Sequence, residues 1–332
     1  MELFLIILLF AVGIVLVVKG GDYFVDASSW IAEVSGIPKL IIGATVVSIA
    51  TTLPEMLVSV MAARDSLSAP TEKAAQGLVD ISIGNAVGSV TANIGLIMAI
   101  SLLCMPGAFK RKDYMFKSLT MLLAAIIIVA CGFFGKVSIL LSVLLIALCV
   151  AFFIENVMGA KKAMAVQSKE VTEKVSTEKK DIIVNILKFV FGAAGIIVGA
   201  RLLVDNGTSL ARILHISERI IGVTLVAVGT SLPELITTIT AVAKKQADLS
   251  VGNIIGANIM DLTLIMPLSS IISGKSLNIT AQSAYIDLPA CLLVGLIAVL
   301  PSLLCQKTSR FQGGCILAVY IAYIAVTCIV VI

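Results

Sequence analysis

Long apolar runs, many of eighteen residues or more, recur along this chain with short polar breaks between them. That pattern predicts membrane-spanning helices. Ten spans fit, at about residues 1–31, 37–62, 73–104, 114–132, 137–155, 181–212, 217–243, 248–272, 283–302 and 312–331. The period-two alternation of a membrane β-barrel is missing. The first run, ELFLIILLFAVGIVLVV, has no basic stretch before it and no small-residue cleavage site after it, so it is read as a retained span. One longer polar segment, 156–181, is rich in Lys, Glu, Ser and Thr and predicts a solvated linker between two five-span halves, 1–155 and 182–332. Because five is odd, the second half enters the membrane from the opposite side. The expected fold is an all-α polytopic membrane protein of ten helices, arranged as two inverted five-helix repeats with broken helices at the midplane.

The halves are also repeats in sequence. GATVVSIATTLPEMLVS, from Gly43 to Ser59, returns as GVTLVAVGTSLPELITT, from Gly222 to Thr238, at a shift of 179 residues. Val17–Ala32 aligns with Ile196–Ala211 at the same shift, placing Asp26 over Asp205. Further on, DISIGNAVGSVTAN (Asp80 to Asn93) matches DLSVGNIIGANIMD (Asp248 to Asp261) at a shift of 168, which implies a shorter loop in the second half. The repeated motifs therefore cover 43–93 and 222–261.

Each first motif places hydroxyls, a proline and a glutamate inside an apolar run. Pro54 has no N–H, so the carbonyl of Ala50 loses its helical partner, and Pro233 does the same to the carbonyl of Gly229. A freed carbonyl at membrane depth needs a partner, and a cation is a good one. Thr51 and Thr52 stand beside the first, Thr230 and Ser231 beside the second. Glu55 follows Thr51 by four residues, on the same helical face, as Glu234 follows Thr230. Hydroxyls, bent backbone and two carboxylates form an all-oxygen environment suited to calcium or sodium, and two glutamates neutralise one divalent ion. Intramembrane acids are rare and mostly functional; Lys19 and Arg201 are the main basic residues inside the spans. In the second motifs, GNAVG (Gly84 to Gly88) and GNIIG (Gly252 to Gly256) are close-packing devices. Close approach lets Ser89, Asn93 and Asp261 face inward, while Asn85 and Asn253 are expected to bond between helices. Asp80 and Asp248 lie nearer span ends, where solvated termini explain them as well as a cation vestibule does.

Composition and charge narrow the picture. Of 332 residues, 59% are hydrophobic and only 13% charged, too few to cover a water-facing surface. The seven cysteines lie in or beside apolar runs without metal-ligand spacing and read as packed thiols, and the one histidine, His215, excludes His-rich ligation. Nothing points to nucleic acid; the partners are the lipid bilayer and the ions. Fourteen basic residues fall in loops after odd-numbered spans and six after even-numbered ones. The positive-inside rule then puts the 156–181 linker in the cytoplasm and both termini outside a plasma membrane, such as a bacterial or archaeal inner membrane.

Taken together, GATVVSIATTLPE with GNAVGSVTAN, and GVTLVAVGTSLPE with GNIIGANIMD, resemble the two α-repeats of the calcium/cation antiporter superfamily, in particular the prokaryotic sodium/calcium exchangers. The resemblance implies antiport of calcium against sodium by alternating access, without a cofactor or enzymatic activity. It implies a four-helix site with Glu55 and Glu234 as central calcium ligands and oxygens from Thr51, Thr52, Thr230 and Ser231. Sodium sites would be completed by Ser89, Asn93 and Asp261, with backbone carbonyls at Ser48 and Ala227, and the first and sixth spans would slide as a gating bundle. Two positions depart from the family pattern: its GSN reads Gly88-Ser89-Val90 in one repeat and Gly256-Ala257-Asn258 in the other. Ala257 lacks the usual hydroxyl, which leaves proton-driven exchange of calcium or another divalent cation as the alternative. An intramembrane aspartyl protease fits poorly because its nucleophile motifs are absent. A passive channel fits poorly because duplicated broken helices suit alternating access.

The basic bias makes a direct prediction. A cysteine introduced at Ser168 should be labelled only from the cytoplasmic side; labelling by an impermeant reagent in intact cells would reverse the topology.

Overall fold

The computed structural model describes residues 2–107, 111–167, 178–214, 229–273 and 276–330. Among these the chain is nearly all helix, and nine helices are long and apolar enough to cross a membrane. The helices are α1 (Glu2–Ser35), α2 (Lys39–Ile42), α3 (Ser48–Asp65), α4 (Glu72–Ala92), α5 (Ala99–Cys104), α6 (Arg111–Phe133) and α7 (Ile139–Gln167). They continue with α8 (Lys179–Ile213), α9 (Leu232–Ala243), α10 (Ala247–Met260), α11 (Met266–Ile272), α12 (Leu288–Cys305) and α13 (Arg310–Val330). Of the predicted span 217–243, residues 229–243 are described; His215, Arg219 and Ala227 lie outside the described residues, as do Lys110, Ser168 and Lys275. The predicted linker 156–181 begins later than its polar composition suggests, because α7 continues to Gln167. The segment GAKKAMAVQ is made largely of good helix formers, so it extends the helix beyond the apolar run.

Among the described residues four π-helical turns interrupt this regularity, at Gly43–Val47, Asn93–Met98, Asp261–Ile265 and Ser283–Asp287. The last two are each followed at once by a proline in the next helix's first turn, Pro267 and Pro289. A proline without an N–H removes one i→i−4 bond, and a widened turn is a common way to absorb that. The breaks expected at Pro54 and Pro233 come out unequal. The first repeat has no break there: Pro54 sits inside an unbroken α3, because losing one hydrogen bond does not end a helix held by packing on both sides. In the second repeat the helix is interrupted at Thr230–Ser231, and Pro233 lies in the first turn of α9, where its missing N–H has no intrahelical partner to lose.

The residues sort into two compact units, Met1–Thr51 with Glu155–Asn253, and Thr52–Ile154 with Ile254–Ile332. Each draws on both sequence halves, since the divisions fall inside α3, α7 and α10.

The first unit is organised on the packing of α1 against α8. A Cβ on Gly20 would come within 2.8 Å of the Gly192 carbonyl and the Ile196 amide, and one on Gly13 within 3.1 Å of the Gly199 carbonyl. These pairings run in opposite directions along the two helices, so α1 and α8 are antiparallel and joined by a glycine seam. At about 1.5 Å per residue, their 34 and 35 residues are about 50 Å long, well beyond the ~30 Å hydrocarbon layer. Phe24, Val25, Ile42, Val47, Ile196, Ala241 and Leu249 form the core beneath them. At the end of α9, the Lys244 ammonium is held by Asp26 at 2.7 Å and Asp22 at 3.2 Å. Burial alone would lower its pKa, but the hydrogen bonds and charges of Asp26 and Asp22 outweigh this and hold it above the ordinary 10.5.

In the second unit α4 is the central helix, buried along Ser82–Ala92. Helix α12 packs on α6, with Gly132 against Leu288 and Gly295 against Leu122, and α13 packs on α5, with Gly313 against the Ala99 carbonyl. Lys136–Val137 and Leu277–Asn278 form a two-residue antiparallel ladder that ties two loops together. Two other loops join through Thr308, whose N–H donates to the Gly107 carbonyl at 2.8 Å while its hydroxyl accepts from the Gly107 N–H at 2.9 Å.

The glycine seam makes a prediction. Gly20→Val should destabilise the protein by about 1–3 kcal/mol through overpacking, whereas Gly77→Ala, with nothing within 4 Å of the new Cβ, should be neutral or slightly stabilising. Thermal unfolding in detergent measures both.

Candidate cation site

The hydroxyl-rich start of α3 shows how the local sequence handles its polar groups. Thr45 donates its hydroxyl to the Ile41 carbonyl at 2.7 Å and Ser48 to the Thr45 carbonyl at 3.1 Å. Each hydroxyl thereby satisfies a carbonyl of its own helix and leaves its oxygen lone pairs open. Thr51 lies within 3.3 Å of the Ser48 carbonyl and 3.2 Å of Asn253 Oδ1.

In the first unit the candidate residues Ser48, Thr51, Ser231 and Glu234 are buried and Thr230 is half-buried. Ser231 precedes α9 and Glu234 stands in its first turn, where the helix dipole favours an anion. Ser231 Oγ is buried with no hydrogen-bond partner among the described residues.

In the second unit Thr52, Glu55, Ser89, Asn93 and Asp261 are all buried. Asn85 on α4 donates to the Glu55 backbone carbonyl at 3.1 Å and to Ser59 Oγ at 2.9 Å, clamping α4 to the turn that carries the acid. The π-turn that begins at Asp261 packs on α4, the helix that bears Ser89 and leads into Asn93. Cys291 on α12 is also buried. Ser89 Oγ and both amide atoms of Asn93 are buried without a partner among the described residues, an environment that accepts a ligand's charge. Glu55 is 1% exposed, Glu234 0% and Asp261 1%. Carboxylates buried this deeply stay ionised only against a compensating cation, so the donor set fits a hard, oxygen-seeking ion.

Both asparagines of the GNxxG motifs bond between helices as expected, but to different kinds of partner: Asn85 to a backbone carbonyl and a serine, Asn253 to a threonine hydroxyl. Ala257 is buried with no hydroxyl to offer. Two features escaped the sequence reading. The π-turns open at Asn93 and Asp261, the same repeat position, and the only signal for either was Pro267. Lys19 and Arg201 are exposed along their helices, whereas Lys117, in the second turn of α6, is 1% exposed. Tyr114, Lys117 and Ser118 are spaced three and four apart, and that spacing on an apolar helix was the available sign of one buried polar face. The cysteines of the described residues are unpaired thiols, three of them buried.

The family model described as sodium/calcium exchanger protein matches residues 5–157 and 184–329. The chain is 35% identical to the inner membrane protein YrbG of Escherichia coli over 92% of this chain and 90% of that protein. It is 29% identical to the sodium/calcium exchanger MaX1 of Methanosarcina acetivorans over 97% of each. The solved structure of the sodium-calcium exchanger NCX_Mj, soaked with 10 mM Na+ and no Ca2+, superposes with a TM-score of 0.80 at 31% identity, covering 97% of this chain and 99% of that one. The protein is a polytopic membrane ion exchanger rather than an enzyme. It belongs to the sodium/calcium exchanger family.

Proposed function

We propose that this chain, a cation antiporter by family, exchanges calcium for sodium by alternating access, with Glu55 and Glu234 as the central calcium ligands. The observation that carries the reading is that both acids, at matched positions of a duplicated motif, are fully buried. Thr51, Thr52, Thr230 and Ser231 supply further oxygens beside them, with the backbone carbonyls at Ser48 and Ala227. Ser89, Asn93 and Asp261 complete sodium sites; the unpartnered oxygens of Ser89 and Asn93 favour this assignment. Ala257 favours a second reading of the same fold, in which protons drive the exchange.

We propose ten spans in two inverted five-helix repeats, with motifs at 43–93 and 222–261. Loop pairing supports this count. The ladder joining Lys136–Val137 to Leu277–Asn278 puts the loops after spans four and eight on one side of the membrane, as Gly107 and Thr308 do for the loops after spans three and nine. Lys39 and Gln246, 2.8 Å apart, likewise join the loops after spans one and seven. All three pairings need an even number of crossings between their partners, which calls for one crossing between Ile213 and Ala247 beyond those of the nine long helices. The antiparallel α1 and α8 take the place of the sliding first and sixth spans. With the basic bias of the loops, both termini lie outside and the linker is cytoplasmic.

Reconstituted vesicles under imposed sodium or proton gradients, with calcium flux as the readout, test the driving ion. Glu55→Gln and Glu234→Gln should each nearly abolish calcium transport and calcium-dependent thermal stabilisation while the protein still folds. Removing one of two charges facing a divalent ion in low dielectric costs about 3–5 kcal/mol. Near-native transport by either variant would place the site elsewhere.

Asp261→Asn should be milder. The equivalent position of the first repeat already holds an amide, Asn93, and two glutamates already balance one calcium. A third buried acid leaves excess negative charge when calcium is bound, so its ionised form matters mainly for monovalent ions. Calcium binding should persist while the sodium or pH dependence of exchange changes. Loss of calcium binding as complete as in Glu55→Gln would refute this division.

A further inference from the structure

We propose that Asn253 is a positioning residue for Thr51, one that draws the hydroxyl proton of Thr51 aside and so frees two candidate cation ligands at once. The inference rests on the reading of Thr51 and Ser48 as ligands given above. Asn253 is fully buried on α10, within the first unit. It reaches Thr51 because α10 crosses the turn after α2 glycine to glycine. A Cβ on Gly43 would strike the Leu249 carbonyl and lie 2.9 Å from the Asn253 amide nitrogen. One on Gly252 would strike the Leu40 carbonyl and lie 3.0 Å from the Ala44 amide nitrogen.

Thr51 has a single hydroxyl proton and two acceptors in reach, the Ser48 carbonyl at 3.3 Å and Asn253 Oδ1 at 3.2 Å. Donated to Ser48, the proton would occupy a carbonyl that the cation needs. Donated to Asn253, it leaves the second lone pair of that carbonyl, the one its own helix does not use, open and turns both lone pairs of Thr51 away from α10. The side-chain nitrogen of Asn253 has no partner among the described residues, where this side chain's hydrogen bond is to Thr51. Its repeat counterpart has a different task, since Asn85 gives its N–H groups to the Glu55 carbonyl and Ser59.

The test is a double-mutant cycle of Asn253→Leu and Thr51→Val, reading calcium binding by radiolabelled calcium and thermal stability without calcium. Each single variant should weaken calcium binding by about tenfold, the effect of one lost hydrogen bond or ligand. The double variant should be no weaker than Thr51→Val alone, because Asn253 acts only through the hydroxyl. Multiplying losses would show that Asn253 acts independently and overturn the proposal. So would native calcium binding by Asn253→Leu, or a loss that merely follows a fall in calcium-free stability. If Asn253→Leu does not fold, Asn253→Ala runs the same cycle under the same criteria. Native binding by Thr51→Val would overturn the assignment of Thr51 as a ligand, and this inference with it, whereas weakened binding with multiplying losses would overturn this inference alone.

Discussion

Carboxylates held out of water inside hydrocarbon are the constraint on which the rest of this protein depends. Glu55, Glu234 and Asp261 are all buried in a chain with few basic residues at membrane depth. Born solvation makes an uncompensated ion there cost several kcal/mol or more. The helices must therefore keep lipid and water away from these acids, and the proposed function further requires oxygen ligands left free to meet an arriving cation. Tight glycine crossings serve the first need, and the placement of hydroxyl and amide protons serves the second.

The duplicated motifs meet these needs in unequal ways. Pro54 lies inside a continuous helix, whereas Pro233 begins one, so Glu234 stands at a helix N-terminus and Glu55 within a helix body. The dipole of α9 helps hold the charge of Glu234. Glu55 has no such end, and its turn is instead tied by the Asn85 amide. Two copies of one motif thus give their glutamates two different electrostatic environments.

Much of this was legible in the sequence. Spans, the duplication, the paired acids and the interhelical role of Asn85 and Asn253 follow from apolar runs, a constant shift and the rarity of acids in lipid. What stayed hidden depends on tertiary contacts. The π-turns at Asn93 and at Gly43–Val47 have no proline to announce them. The continuation of α7 to Gln167 stayed hidden because polarity marks where a chain leaves the membrane, while helix propensity decides where the helix stops. The burial of Lys117 depends on which face of α6 the helix α12 covers, and periodicity alone does not say that.

The buried and half-buried polar side chains fall into those that bond to their own helix and those that do not. Ser28, Thr45, Thr91, Ser118 and Ser302 each give their proton to the carbonyl four residues earlier. Such bonds need nothing outside the helix and cost little in lipid. Ser89, Asn93 and Ser231 make no such bond among the described residues, although a carbonyl lies one turn back in the helix for Ser89. A hydroxyl that declines a local acceptor in a low-dielectric interior loses about 1–3 kcal/mol unless something else satisfies it. Ser29, Ser82, Thr237, Thr238 and Ser269 are likewise buried without a partner among the described residues, so an open hydroxyl does not by itself mark a ligand; Ser89, Asn93 and Ser231 stand out because the duplicated motifs also carry the buried acids.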